Sequence, residues 1–168
     1  MKLRPWRLKD ASALARISRH NMKDAPAGYL IADTEEHARE LIVHYQLLPK
    51  SRGHVYAIWH HLHIIGYVQL LQLHETLWEV GYYIDEPMRN HGYMSEALHS
   101  LLNQIQTDEN ILEVQARVLK SNEASRKVLE HNDFVLYEVW DELLCYRRKM
   151  MNAYTKTGGH EPQAIDKE

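Results

Sequence analysis

The sequence predicts a mixed α/β domain in which about seven strands form a mostly antiparallel sheet flanked by about four helices. Three observations lead to this fold class. Apolar residues alternate in several short runs and recur at helical spacing in others. Three strand-like runs, at residues 54–59, 64–73 and 77–84, follow one another with short connections, which is typical of antiparallel hairpins. A helical segment then joins 77–84 to a strand-like run at 111–118, and such a connection makes two strands parallel.

The predicted elements follow in the order β-α-α-β-β-β-α-β-α-β-β. Asp10 stands where it would cap the first helix, Thr34 stands where it would cap the second, and Asn132 stands where it would end the last. The remaining predicted strands are residues 3–6, 134–140 and 143–150, and the later helices run to about residue 107 and over 123–132.

Composition limits the classes of function. The chain has 168 residues, 45% of them hydrophobic and 26% charged, which predicts one globular domain over residues 1–150 and a polar tail over 151–168. A net charge of −3 without a basic stretch argues against a nucleic-acid-binding protein. Neither a secretory signal nor an apolar run of membrane-spanning length is present, so a cytoplasmic location is expected. The single cysteine, Cys145, has apolar neighbours and is predicted to lie in the core.

Residues 89–95 read Arg-Asn-His-Gly-Tyr-Met-Ser and connect the strand at 77–84 to a helix. A helix N-terminus presents unpaired backbone N–H groups and the positive end of a dipole, so it binds phosphate readily. Gly92 keeps the backbone accessible to a ligand, and Arg89 adds a positive charge with forked donors. An ordinary strand-to-helix connection fits the same residues, so the loop alone leaves both interpretations open.

The wider context resembles GNAT-type N-acetyltransferases, whose acyl-CoA loop follows the pattern [Q/R]-x-x-G-x-[G/A]. Residues 78–98 are similar to that family's fourth strand, pyrophosphate loop and following helix, and residues 122–134 are similar to its second hallmark, a short helix opened by an Asn. The resemblance covers roughly residues 1–150 and favours the RimJ/RimL-like branch, named for ribosomal-protein-alanine acetyltransferases. It implies a splayed sheet. Met94 departs from the pattern, which has a small residue there, and Asn132-Asp133 departs where the family has a Gly before the Phe.

The resemblance implies acetyl-CoA as a co-substrate and no metal. The arm of CoA would lie in a gap beside strand 114–118, paired with the backbone of Tyr83 and Ile84 and hydrogen-bonded by Asn122. Arg126 or Lys127 could meet the outer phosphates, and a solvated helix face is the alternative interpretation of both. The backbone amides that would hold the pyrophosphate belong to Arg89, Asn90, His91, Gly92, Tyr93, Met94 and Ser95.

Acetyl transfer from a thioester to an amine requires a base for the amine and an acid for the leaving thiolate. Glu79 is the candidate base, since it lies between Trp78 and Val80 in an otherwise apolar strand and matches a branch residue proposed to act through water. A Glu paired with a Lys or Arg is the alternative interpretation. Ser125 is the candidate acid, because it follows Asn122 by one helical turn and matches a branch Ser proposed to protonate the thiolate. Leu129 stands where many GNAT enzymes have a Tyr for that role. A strand amide near 82–84 would stabilise the oxyanion.

The acceptor is predicted to be a protein or peptide N-terminal amine. Reaching the neutral form at pH 7 costs about 1.4 kcal/mol for an α-amine and about 4.6 kcal/mol for a lysine side chain. Small-molecule amines, a CoA-binding sensor without turnover and a homodimer are left open. Acceptor specificity is expected from loop 20–33, including Tyr29, and from the hairpin around 60–63. Four histidines, His60, His61, His63 and His74, lack the spacing of a metal site.

Overall fold

A computed structural model describes residues 1–22 and 32–151. These residues contain seven strands and four α-helices. The strands are β1 (Lys2–Pro5), β2 (Gly53–His60), β3 (His63–His74), β4 (Leu77–Ile84), β5 (Glu113–Leu119), β6 (Val135–Trp140) and β7 (Leu143–Lys149). The helices are α1 (Ala11–Asn21), α2 (Glu35–Leu47), α3 (Tyr93–Ile105) and α4 (Glu123–Glu130). The predicted element order is confirmed, with the ends of elements shifted by a few residues.

The sheet has the strand order β1-β2-β3-β4-β5-β7-β6. Each neighbouring pair is antiparallel except β4 and β5, which are parallel, as the strand–helix–strand unit predicts. The β4–β5 ladder holds only three residue pairs, from Leu77 with Glu113 to Glu79 with Gln115. The sheet is therefore continuous at one end of this junction and open at the other.

Two apolar cores lie on opposite faces of the sheet. One core joins α1 and α2 to the sheet and includes Tyr67 and Tyr83. The other joins α3 and α4 to the sheet and includes Trp78 and Val80. Because successive strand side chains point to opposite faces, odd-numbered residues of β4 face α1 and α2, and even-numbered ones face α3 and α4.

The caps of the helices correct two predictions. Thr34 caps α2 as expected, since its hydroxyl oxygen accepts from the His37 amide at 3.2 Å. Asp10 does not cap α1 with its side chain, because its carboxylate is buried and accepts from the Arg4 guanidinium and the Arg7 amide. At the end of α4 the C-cap is His131, and the prediction for Asn132 was wrong.

Asn132 and Asp133, which stand where the family has a Gly before the Phe, have two different structural roles. Asp133, not Asn132, adopts the left-handed backbone conformation, with φ of 61°. The buried Asn132 amide group donates instead to the Val128 carbonyl and to the Ser95 hydroxyl, at 2.9 and 3.1 Å. This departure from the family pattern ties the end of α4 to the start of α3.

Cys145 is buried in β7, and burial raises the pKa of its thiol, in agreement with the predicted core position. No described helix has the length and apolar character needed to cross a membrane. In the described parts of the chain, no group of three or more His, Cys, Asp or Glu side chains is arranged to hold a metal ion.

Candidate active site

A cavity of about 270 Å³ fills the opening between β4 and β5. Its walls are residues 80–84 of β4, residues 116–118 of β5, the loop before α3 and one side of α4. The walls carry both apolar side chains, such as Val80 and Val118, and polar ones, such as Arg117 and Asn122. The predicted pyrophosphate loop, the predicted gap and the predicted Asn-x-x-Ser helix therefore surround one space.

Along β4, the backbone N–H and C=O groups of successive residues point alternately toward β3 and toward this gap. The Asp85 amide donates to the Ile65 carbonyl, and the antiparallel register continues without a bulge from Ile84 to Glu79. Odd-numbered residues of β4 therefore bond to β3, while the N–H and C=O groups of Val80, Tyr82 and Ile84 point toward the gap. The predicted pairing of Tyr83 with the CoA arm is corrected by this alternation, because its backbone pairs with Tyr67 of β3.

The backbone of Ile84 makes a further contact. Its carbonyl oxygen accepts a hydrogen bond of 3.0 Å from the side-chain amide of Asn21, which is buried at the end of α1 and lines the cavity. Asn21 was not singled out from the sequence, because nothing in the local pattern of α1 shows that its last turn reaches the end of β4.

The loop before α3 turns sharply at two left-handed residues, Asn90 with φ of 62° and Gly92 with φ of 77°. Gly92 is the N-cap, and α3 follows with 13 residues. A Cβ atom on Gly92 would meet nothing within 4 Å, so the backbone there is open as well as left-handed. Tyr93, Met94 and Ser95, the first residues of α3, line the cavity, and the N-terminus of a helix of this length is suited to binding an anion.

The side chains of this loop have different surroundings. Arg89 lines the cavity, but its guanidinium donates to the His20 carbonyl and to the Asn21 side-chain oxygen, both at 3.0 Å. Its charge therefore lies against the C-terminus of α1, where carbonyl groups and the helix dipole favour a cation. Binding of phosphate by the Arg89 side chain, as predicted, would compete with these two hydrogen bonds.

Met94 lies in the core rather than in the loop. Its side chain is 6% exposed and packs with Ile58, Ile65 and Ala97. The residue that departs from the family pattern thus anchors the first turn of α3 to the sheet. Next to it, the Tyr93 ring contacts the rings of His60 and His91, with centroids 4.5 and 5.5 Å away.

On the other side of the gap, Asn122 and Ser125 both line the cavity at the start of α4. The Asn122 side-chain oxygen accepts from the Ser125 amide at 3.1 Å and so caps the helix. The Ser125 hydroxyl donates to the Tyr82 phenol oxygen at 2.9 Å, and the Tyr82 hydroxyl donates to the Ser125 carbonyl at 3.1 Å. Burial raises the pKa of Tyr82 above its ordinary value. The structure places Lys127 in the cavity wall and leaves Arg126 outside it.

Glu79 lies at the point where β4 and β5 separate. Its carboxylate accepts three hydrogen bonds, two from the Arg117 guanidinium at 2.8 Å and one from the Gln115 side-chain amide at 2.9 Å. The side chains of Glu79 and Arg117 are 13% and 31% exposed. Arg117 lines the cavity and Glu79 does not, so the candidate base is one side chain removed from the space where a thioester would lie.

Asp85, directly after β4, joins this strand to α1. Its buried carboxylate accepts from Arg16 at 2.8 Å and lies 2.6 Å from the His20 ring. These contacts hold the end of α1 beside the loop that carries Arg89. Most of the predicted acceptor loop, residues 23–31 with Tyr29, lies outside the described residues, and so does the tail from 152 onward.

Comparison with known proteins places the chain in a family. The acetyltransferase (GNAT) domain family matches residues 1–135, and the chain belongs to that family. It is a transferase of the class that uses acetyl-CoA to acetylate amines.

Solved structures share this fold at low sequence identity. RimL, described as a ribosomal L7/L12 alpha-N-protein acetyltransferase in complex with CoA, has a TM-score of 0.76 at 19% identity, over 90% of this chain and 94% of its own. The ribosomal-protein-S5-alanine acetyltransferase of Vibrio fischeri has a TM-score of 0.75 at 19% identity, over 89% and 92%. The microcin C7 self-immunity acetyltransferase MccE, in complex with acetyl-CoA and AMP, has a TM-score of 0.73 at 15% identity, over 88% and 91%. A search of curated protein sequences gave no significant match.

Proposed function

We propose that the protein transfers an acetyl group from acetyl-CoA to the N-terminal amine of a protein or peptide. The observation that carries the proposal is the opening between β4 and β5, which has the N-terminus of α3 at one end and the Glu79–Arg117 pair at the other. CoA carries a pyrophosphate, which a helix N-terminus suits, and an extended thioester arm, which the open edge of β4 suits. RimL and the S5-alanine enzyme, which share the fold, are described as acting on ribosomal proteins.

The proposed binding mode follows the contacts of the cavity wall. The amides from Asn90 to Ser95 hold the pyrophosphate, and the gap-facing groups of Tyr82 and Ile84 pair with the arm. The Arg89 amide is removed from the predicted set because it donates to the Glu86 carbonyl at 3.2 Å. The Asn122 side chain, whose oxygen caps α4, offers its amide nitrogen to the arm. Lys127 takes the place of Arg126 beside the outer phosphates, because only Lys127 lies in the cavity wall.

The proposed chemistry uses both faces of the sheet. Glu79 faces α1 and α2 and assists the loss of a proton by the attacking amine, through water. Ser125 lies on the α4 side and supplies a proton to the sulfur as the C–S bond breaks. The Tyr82 amide donates to the oxyanion. Overall, one proton passes from the amine nitrogen to the sulfur, and an amide and free CoA are formed.

The test is thiol release from acetyl-CoA over a panel of amines. The panel contains short peptides with a free N-terminus, the same peptides with a blocked N-terminus and a free lysine, aminoglycosides, polyamines and free amino acids. We expect turnover with free N-termini, little with the blocked lysine peptides, and a mass shift on the first residue. Glu79→Gln and Ser125→Ala should each lower kcat while CoA binding persists.

Small-molecule amines are the second candidate, since a structure described as a phosphinothricin N-acetyltransferase shares the fold. Turnover restricted to small amines would replace the proposed acceptor class with this one. CoA binding without turnover of any amine would refute the proposal as a whole.

A further inference from the structure

Tyr82 brings two polar groups to the cavity from one position in β4. Its backbone N–H points into the gap, because even-numbered residues of β4 face away from β3. Its side chain lies on the α3 and α4 face, where the ring packs against the apolar core and the hydroxyl reaches the start of α4. The phenol of Tyr82 therefore contacts α4, the helix that carries the candidate acid Ser125.

Two hydrogen bonds join the Tyr82 hydroxyl to Ser125. Ser125 Oγ donates to the Tyr82 oxygen at 2.9 Å, and the Tyr82 hydroxyl donates to the Ser125 backbone carbonyl at 3.1 Å. Both residues line the cavity. In this arrangement the proton of Ser125 points to Tyr82 and not into the gap, so Ser125 must reorient before it can serve a leaving sulfur.

We infer that Tyr82 is a positioning residue that turns the Ser125 hydroxyl toward the sulfur of the departing CoA. The inference rests on the proposed acetyl transfer. Rotation of the Tyr82 O–H from the Ser125 carbonyl to Ser125 Oγ replaces the existing hydrogen bond by its reverse. Ser125 Oγ then keeps one hydrogen bond to the phenol and directs its own hydrogen into the gap.

Protons are conserved in this step. When the C–S bond breaks, the sulfur leaves with the electron pair and takes the proton of Ser125. The serine oxygen regains a proton from solvent water, and the attacking nitrogen loses one to solvent. Tyr82 gives up no proton. Because burial raises the pKa of its hydroxyl, Tyr82 remains a neutral donor throughout the neutral pH range.

The distinguishing experiment is a double-mutant cycle on kcat with Tyr82→Phe, Ser125→Ala and the variant that combines them. We expect Tyr82→Phe to lower kcat about tenfold, the worth of one oriented hydrogen bond, with the KM for acetyl-CoA nearly unchanged. If Tyr82 acts through Ser125, the combined variant is no slower than Ser125→Ala alone. The pH dependence of kcat keeps its shape in Tyr82→Phe, because the phenol does not ionise.

Independent, multiplying effects of the two substitutions would overturn the inference. So would a Tyr82→Phe enzyme with full kcat beside a slow Ser125→Ala enzyme, and so would loss of the alkaline limb of the pH profile in Tyr82→Phe, which would make Tyr82 the acid itself. A wild-type protein without turnover on any amine would refute the proposed function instead. Tyr146→Phe is the matched control, since Tyr146 lies in the same core and its hydroxyl donates to Glu130. Thermal melting and CoA titration of each variant confirm folding and an intact cavity.

Discussion

Substitutions of Glu79 and Arg117 can distinguish an effect on catalysis from an effect on stability. Glu79→Gln preserves the shape of the side chain but removes the charge that holds the Arg117 guanidinium through two hydrogen bonds of 2.8 Å. Hydrogen bonds to charged groups contribute about 1.5–3 kcal/mol each, and partial exposure of the pair reduces the net value. We expect a loss of about 2 kcal/mol in the free energy of unfolding, which for a domain of this size lowers Tm by about 4–8 °C.

Arg117→Met breaks the same ion pair and should cost a similar amount of stability, but it leaves the carboxylate in place. If Glu79 is the base, Glu79→Gln lowers kcat by about 10²-fold or more, whereas Arg117→Met lowers it far less. The rate lost by Glu79→Gln should partly return at about pH 9, where a peptide α-amine with a pKa near 8 is mostly neutral without assistance.

The assay is steady-state thiol release on the preferred peptide from pH 6 to pH 9, at a temperature well below the melting transition of each variant. CoA affinity is measured in parallel, so that damage to the cavity is seen separately from loss of chemistry. Equal reductions of kcat in Glu79→Gln and Arg117→Met, without recovery at high pH, would show that the pair only joins β4 to β5. Glu79 would then be a structural residue, as the alternative interpretation of the sequence holds.

Three further substitutions test how the fold supports the site. Gly66→Ala should lower the free energy of unfolding by about 1–3 kcal/mol in urea titrations, because the added Cβ would lie 2.4 Å from the Tyr83 carbonyl oxygen; an unchanged midpoint would contradict this. Asp10→Asn should cost about 3 kcal/mol at pH 6. Burial would raise the pKa of Asp10, but hydrogen bonds from Arg4 and from a backbone amide outweigh burial and lower it. The stability difference from wild type should therefore shrink as the pH falls below about 4, and a constant difference would refute the ion pair. Met94→Ala should cost about 2–5 kcal/mol with little change in CoA affinity; a marked gain in affinity at unchanged stability would show that Met94 strains the loop.

The regular parts of this fold follow closely from local patterns. The parallel strand–helix–strand unit is confirmed because its strands alternate and its helix has a clear apolar face, both of which are short-range properties. Thr34 caps its helix because a cap also depends only on the next few residues. Asp10 has the same local signature, yet its carboxylate is taken by Arg4, which faces it across the turn that leads into α1.

The partners of the site residues are what the sequence alone does not give. The Tyr82–Ser125 contact joins residues 43 positions apart, and the Glu79–Arg117 contact joins residues 38 positions apart. Each contact depends on how far β4 and β5 run together before they separate, which is a property of register and not of either strand's pattern. The prediction gave the acid role to Ser125 because Leu129 stands where many GNAT enzymes have a Tyr, and it did not identify Tyr82, which contacts Ser125 from the facing strand.

The early separation of β4 and β5 also explains how β4 brings Glu79, the proposed base, and Tyr82, the partner of the proposed acid, to the same gap. Beyond Glu79, no described strand pairs with the free edge of β4, so the backbone groups there can accept an extended ligand in place of a neighbour. Alternation then directs Glu79 to one face of the sheet and Tyr82 to the other. In the proposed binding mode, the attacking amine approaches the thioester from the side of Glu79, and the sulfur lies on the side of Tyr82 and Ser125. In the proposed reaction one proton leaves the nitrogen and one reaches the sulfur, and β4 supplies Glu79, the proposed base, and Tyr82, the residue that contacts the proposed acid, within four residues.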